Sequence, residues 1–193
     1  MLVEIGHFAL VLALLVALVQ GTIPLVGASV RSRALMDLAQ PAALLQFALV
    51  ALAFAVFMHA HIISDFSVRN VFENSHTAKP LLYKVTGVWG SHEGSMMLWV
   101  FMLTLFGGLV AGFGRALPAS LQARTLAIQG LLGFGTLLFM IATSNPFDRL
   151  FPTPADGRDL NPLLQDPGLA PGSAGSPATA RLAVVPRRAV SGR

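Results

Sequence analysis

The feature that most limits what this chain can fold into is where its charges are missing. No Asp, Glu, Lys or Arg occurs from Ile5 to Val30, from Leu38 to Ser64, from Gly94 to Gly114 or from Thr125 to Phe147, four windows of 26, 27, 21 and 23 residues. A helix needs about 20 apolar residues to cross the hydrocarbon core of a bilayer. A helix of that length at the surface of a soluble domain would keep a polar face for water, whereas these windows are apolar all round. Over the 193 residues, 54% are hydrophobic and 11% charged, the second figure against roughly 25% in an ordinary soluble domain. The chain therefore reads as all-α, a polytopic membrane bundle with four transmembrane helices expected at about 5–28, 40–64, 94–114 and 125–143.

The first window is expected to be a retained helix and not a secretory leader. Leaders open on a positive segment and end at a small-residue cleavage site, but Glu4 precedes this run, which continues past the length of a cleaved apolar region. The short connections at 31–37 and 115–124 carry Arg31, Arg33, Arg115 and Arg124, while the longer stretch from Asp65 to Glu93 balances three basic residues with three acids. By basic density in short loops, the first and third connections belong to the cytoplasm. The N-terminus, the 65–93 loop and everything after the fourth helix are then expected on the outer face.

A pI of about 10.7 invites a nucleic-acid or anionic-surface partner, but the excess charge sits in one place. Residues 171–193 hold four Arg and no acid, and the first 170 residues are balanced. No nucleic-acid partner is expected; membrane lipid is. The chain has no Cys, which excludes disulfides and thiolate metal sites within it.

Beyond the helices, 144–170 is dense in turn residues, among them Asn145-Pro146, Pro152, Pro154, Asp156-Gly157, Asn161-Pro162 and Asp166-Pro167-Gly168. Proline fixes φ and removes a donor, so this stretch is expected to be an ordered, extended external loop. Residues 171–193 are mostly Ala, Pro, Gly, Ser and Arg without periodicity, a composition expected to be disordered. We read that basic tail as an aberrant or truncated end. Within the membrane, Gly108-x-x-x-Gly112 and Gly130, Gly133 and Gly135 are small-residue positions at which helix backbones can approach.

Chemistry has few places to sit. The five histidines are His7, His59, His61, His76 and His92. A histidine at a helix end in the interface is more often hydrogen-bonded or snorkelling than a ligand. His59 and His61 lie two apart on one helix and cannot face the same partner. No His-x-x-x-His pair appears, and a protein-built metal site is not expected. The most pointed run is Trp89-Gly90-Ser91-His92-Glu93-Gly94-Ser95. Ser91 can cap the third helix, and Glu93 sits where a negative charge meets the positive end of the dipole. One reading is a well-made helix start. The other is a contact surface, with His92 and Trp89 available to a planar or anionic ligand.

The runs Tyr83–Trp99, Ser144-Asn145-Pro146-Phe147 and Gly157–Gly168 together resemble the CcmF/NrfE family of heme lyase subunits in cytochrome c biogenesis, from the N-terminus to about Ala170. The resemblance implies a multi-pass protein of the bacterial inner membrane, heme b as cofactor, and heme delivery and covalent attachment to apocytochrome c at the periplasmic face. The implied partners are a heme chaperone, a thiol-handling maturation subunit and apocytochrome c, which would supply the thiols this chain lacks. Candidate heme or partner contacts are Trp89, Gly90, Ser91, His92, Glu93, Asn161, Gln165 and Asp166. In the family, the Asp-Pro-Gly segment leads to a histidine-proline-proline heme ligand and a tryptophan-rich domain. Here Pro171-Gly172-Ser173-Ala174 follows, and Trp89 and Trp99 are the only tryptophans. No axial ligand and no catalytic residue is therefore carried over. The competing reading is a non-catalytic scaffold subunit of the maturation complex. A small transporter is disfavoured, because coupling usually requires an ionisable residue within the membrane and the four windows have no Asp, Glu, Lys or Arg.

Overall fold

The computed structural model describes residues 1–158. The expected contacts Asn161, Gln165 and Asp166, and the 171–193 tail, lie outside the described residues. The helices are α1 (Leu2–Ser29), α2 (Arg33–Met36), α3 (Ala39–Ile62), α4 (Arg69–Asn74), α5 (Leu81–Thr86), α6 (His92–Phe113) and α7 (Ala119–Thr143). Tight 3-10 turns at Gly87–Gly90 and Gly114–Ala116 lead into α6 and out of it. No strand occurs among the described residues.

Among the described residues, four helices are long and apolar enough to cross a membrane, built on α1, α3, α6 and α7. The shortest, α6, has 22 residues, which at a rise of about 1.5 Å per residue covers about 33 Å, against a hydrocarbon core of about 30 Å. The helices overrun the charge-free windows where an end tolerates charge. α1 takes in Glu4 and α6 takes in Glu93, both in a first turn where a carboxylate suits the dipole. α7 starts at Ala119 behind Pro118 and takes in Arg124, which is exposed and has a stem long enough to reach the headgroups.

Each long helix packs against the next in sequence, and α7 closes the ring against α1. α1 and α3 both end in left-handed turns at Arg31 and Ser64, each with φ of 56°. The amides of Ser32 and Asp65 then reach back to Gly27 O and Ala60 O, both at 2.9 Å, which satisfies carbonyls that the helix leaves open. Leu10, Val50, Phe57, Met97, Leu137 and Met140 are fully or almost fully buried between the helices.

The backbones of α1 and α7 approach closely. A Cβ on Gly130 would stand 2.9 Å from Gly21 N, and one on Gly21 would stand 2.7 Å from Leu131 Cδ2. The Gly108/Gly112 motif does not serve this purpose. A Cβ on Gly108 would make only ordinary contact with Phe47 at 3.4 Å, and one on Gly112 would meet nothing within 4 Å, because the motif's glycines face different surroundings.

The bundle interior also contains amides. Gln20 Nε2 donates to Leu126 O at 2.8 Å and to Gln129 Oε1 at 3.0 Å, and Gln129 Nε2 donates to Leu103 O at 3.1 Å. This short chain of bonds ties α1 to α7 and α7 to α6.

Candidate functional site

One end of the bundle gathers the start of α1, the end of α3, the start of α6 and the end of α7. It is covered by α4, α5 and the segment after α7. The cover is an extension of the core, since Val68, Val71, Val88 and Phe147 are buried in the same apolar cluster as Phe57 and Met140. Phe147 descends from the loop onto Gly6 of α1, where a Cβ would stand 2.7 Å from its ring.

The segment after α7 is tied down along its described length. Arg69 N donates to Asp148 O and Leu150 N to Ser67 O, both at 2.8 Å, around an antiparallel bridge between Val68 and Arg149. Arg149 Nη2 also pairs with Glu4 Oε1 at 2.6 Å. Further on, Arg158 N donates to Phe72 O at 2.8 Å, with its guanidinium 5.4 Å from the Phe72 ring centroid. Asp156 closes the strap: its Oδ1 accepts from Thr77 N at 3.1 Å and its Oδ2 lies 3.2 Å from His76 Nε2. Hydrogen bonding from Thr77 and from the Gly157 amide holds the Asp156 carboxyl below its ordinary value, with a smaller contribution from His76.

The start of α6 is built from both sides. Ser91 Oγ accepts from Gly94 N at 3.0 Å, the cap that its position suggests. The same oxygen accepts from Asn70 Nδ2 at 2.9 Å, and that amide also donates to Glu93 Oε2 at 2.9 Å. Asn70 of α4 thus holds the cap and the first-turn carboxylate together. Ser95 Oγ donates to Trp89 O at 2.6 Å. Gly94 must be glycine in this packing, because a Cβ would collide with Val88 O.

Of the expected contacts in the described part, Trp89, Gly90, Ser91, His92 and Glu93 are therefore brought together, but they face different ways. Ser91 is buried under Asn70. Trp89 is half-buried and packs against the core cluster, while His92 is exposed. Glu93 opens onto a polar pocket of about 80 Å³ lined also by Arg69, Asn70, Glu73, Ser144 and Asp148. Asn70 was not among the expected residues. It lies 21 positions before Ser91, and nothing local in the sequence joins the two.

The other histidines separate. His59 is exposed, whereas His61 is fully buried. His61 Nδ1 donates to Phe57 O at 3.1 Å, and its ring meets Phe57 edge-on at 4.7 Å between centroids. His7 stacks on Phe147 at 6.3 Å. Among the described residues no group of three or more His, Cys, Asp or Glu could hold a metal ion. Two larger hollows open on the apolar flanks of the bundle. One, of about 310 Å³, lies between α1 and α3 and includes Leu15, Val19, Pro41 and Leu45. The other, of about 390 Å³, lies on α6 around Trp99, Met102 and Phe106.

Residues 89–170, beginning at the tryptophan of this run, match the model of the cytochrome c assembly protein family. The chain is 62% identical over 170 residues to the cytochrome c-type biogenesis protein ccl1 of Rhodobacter capsulatus, an overlap of 88% of this chain and 26% of the relative. It is 53% identical over 170 residues to CcmF of Pseudomonas aeruginosa, with the same shares. To NrfE of Haemophilus influenzae it is 37% identical over 169 residues, 88% of this chain and 27% of the relative. Among solved structures, it resembles a cytochrome c heme lyase CcmF with a TM-score of 0.70 at 22% identity, over 77% of this chain and 25% of that one. That last likeness is one of fold. The chain spans about a quarter of the length of the relatives it matches.

Proposed function

Because this chain belongs to the CcmF/NrfE family of cytochrome c-type biogenesis proteins, as its N-terminal segment, we propose that it serves as the first membrane unit of a heme lyase subunit. In this reading it sits in the bacterial inner membrane with its N-terminus and the Trp89–Ser95 end on the periplasmic side. It takes part there in delivering heme to apocytochrome c and attaching it. The observation that carries the proposal is the 62% identity to a cytochrome c-type biogenesis protein over 88% of the chain. The basic residues of the 31–37 and 115–124 connections support the orientation.

Heme b is the cofactor the family implies. In this reading the described residues are not assigned a resident heme. None of the three hollows noted above has a histidine in its wall, and His61 is packed against Phe57 without a cavity beside it among them. The role proposed for this segment is accordingly docking and positioning: Glu93, Arg69 and the exposed His92 present polar groups to a heme chaperone, a thiol-handling subunit or apocytochrome c. The second reading is a non-catalytic scaffold within the maturation complex.

The test is to express the tagged chain in a bacterium that carries the maturation pathway, purify it in mild detergent and identify what accompanies it. Co-purification of maturation components is expected, weakened by Glu93→Ala and His92→Ala. Recovery of the folded chain alone, under conditions in which a full-length family member retains those components, would refute the proposal. A reduced-minus-oxidised spectrum adds a check, since stoichiometric heme b would contradict both the scaffold assignment and a role limited to docking.

A further inference from the structure

The short helix α5 turns its apolar side chains away from the protein. Leu81 is 61% exposed and Leu82 62%, although both begin a helix packed against α3. Lys84 Nζ donates to Ser64 Oγ at 2.6 Å, which fastens α5 to the left-handed turn that ends α3. Ile62 and Ile63, at that same end, are 39% and 57% exposed. The two leucines therefore continue the outward apolar surface of a membrane-crossing helix at the level where that helix stops.

The chemistry of the segment agrees with that level. From Thr77 to Gly90 there is no acidic residue, while Lys84, Tyr83 and Trp89 all occur. Aromatic residues with a polar tip concentrate at the headgroup layer, and a lysine stem can lie along apolar surface with its ammonium in the polar layer. Nothing between Thr77 and Gly90 repels phosphate-bearing headgroups.

We propose that α5 is an interfacial helix, with Leu81 and Leu82 inserted at the boundary between headgroups and acyl chains of the adjacent leaflet. The occupant of this apolar face is lipid. The consequence for the Trp89–Ser95 run is anchoring, since the turn Gly87–Gly90 follows α5 directly and is held at a fixed depth by it. This inference is independent of the family role.

The chain contains no Cys, so a single probe can be placed without background. Leu82→Cys and Leu81→Cys, each labelled with an environment-sensitive fluorophore, are reconstituted as the full chain in phosphatidylcholine–phosphatidylglycerol vesicles. The label is then challenged with aqueous iodide and with lipid bearing a nitroxide near the top of its acyl chain. The expected result at both positions is blue-shifted emission, strong quenching by the nitroxide lipid and protection from iodide, with the reverse at Thr77→Cys. Quenching by iodide alone would place the leucines in water. Protection from both quenchers would mean that protein covers them. Either outcome overturns the proposal.

Discussion

Gly94 and Asn70 are small or uncharged residues whose importance comes from a single neighbour each. At Gly94 the neighbour is the carbonyl of Val88, already closer than any Cβ would tolerate. Gly94→Ala should force the turn before α6 apart and lower stability by about 1–3 kcal/mol, the usual cost of overpacking. A thermal shift of the purified chain in detergent measures it, and unchanged stability would mean the turn is free to move. At Asn70 one amide nitrogen serves both Ser91 Oγ and Glu93 Oε2. Asn70→Ala should cost about 1–2 kcal/mol for bonds of this kind. Asn70→Asp should cost more at neutral pH, because it removes the donor and sets a second carboxylate against Glu93, and the excess should vanish on acidification. Equal stability of the two variants across pH would sink this account. The cap at Ser91 was readable from the sequence because caps are local patterns. Asn70 was not, because its partners are brought to it by the packing of α4 against the turn that leads into α6.

At the scale of elements, the four membrane helices were legible because absence of charge accumulates over twenty or more positions and few other folds require it. Their pairing was hidden. Of the glycines that the sequence offered, Gly108-x-x-x-Gly112 of α6 makes no tight crossing, whereas Gly130 of α7 does, against Gly21 of α1, which the pattern did not single out. A small residue says that a backbone can approach, not from which side. Gly130→Val should therefore loosen α1 from α7 and lower resistance to unfolding in a denaturing detergent, whereas Gly112→Val, in open space, should leave it unchanged. Equal effects would refute this crossing. The strap from Asn145 to Arg158 makes a different prediction. Asp156 is held below its ordinary value of 3.8 by its hydrogen bonds. A carboxyl lowered by folding stabilises the fold above its unfolded pKa and loses that contribution as pH falls through the folded value. Protection of the Thr77 amide against hydrogen exchange, relative to its intrinsic rate, should thus hold near neutrality and fall only at a pH under 3.8. Loss of protection already at neutral pH in the wild-type chain, or none lost in acid, would show that Asp156 does not secure the strap.

For the whole molecule, the decisive quantity is which way the bundle faces, because the proposed work on apocytochrome c is only possible if the Trp89–Ser95 end meets the periplasm. All the covering elements, α4, α5 and the segment after α7, lie at that end, while the arginines Arg31 and Arg33 lie at the opposite end, in and beside α2. Cytoplasmic loops are enriched in such residues, and that pattern is the support for the proposed orientation. The absence of cysteine again makes the measurement direct. Thr77→Cys and Ser120→Cys put single thiols on exposed residues at the two ends. In intact spheroplasts a membrane-impermeant maleimide should label Thr77→Cys at once and reach Ser120→Cys only after lysis. The inverse pattern would turn Glu93, His92 and the polar pocket toward the cytosol, where a periplasmic substrate could not reach them. In that case the fold and the family likeness would stand, and the docking role assigned to this end would fall.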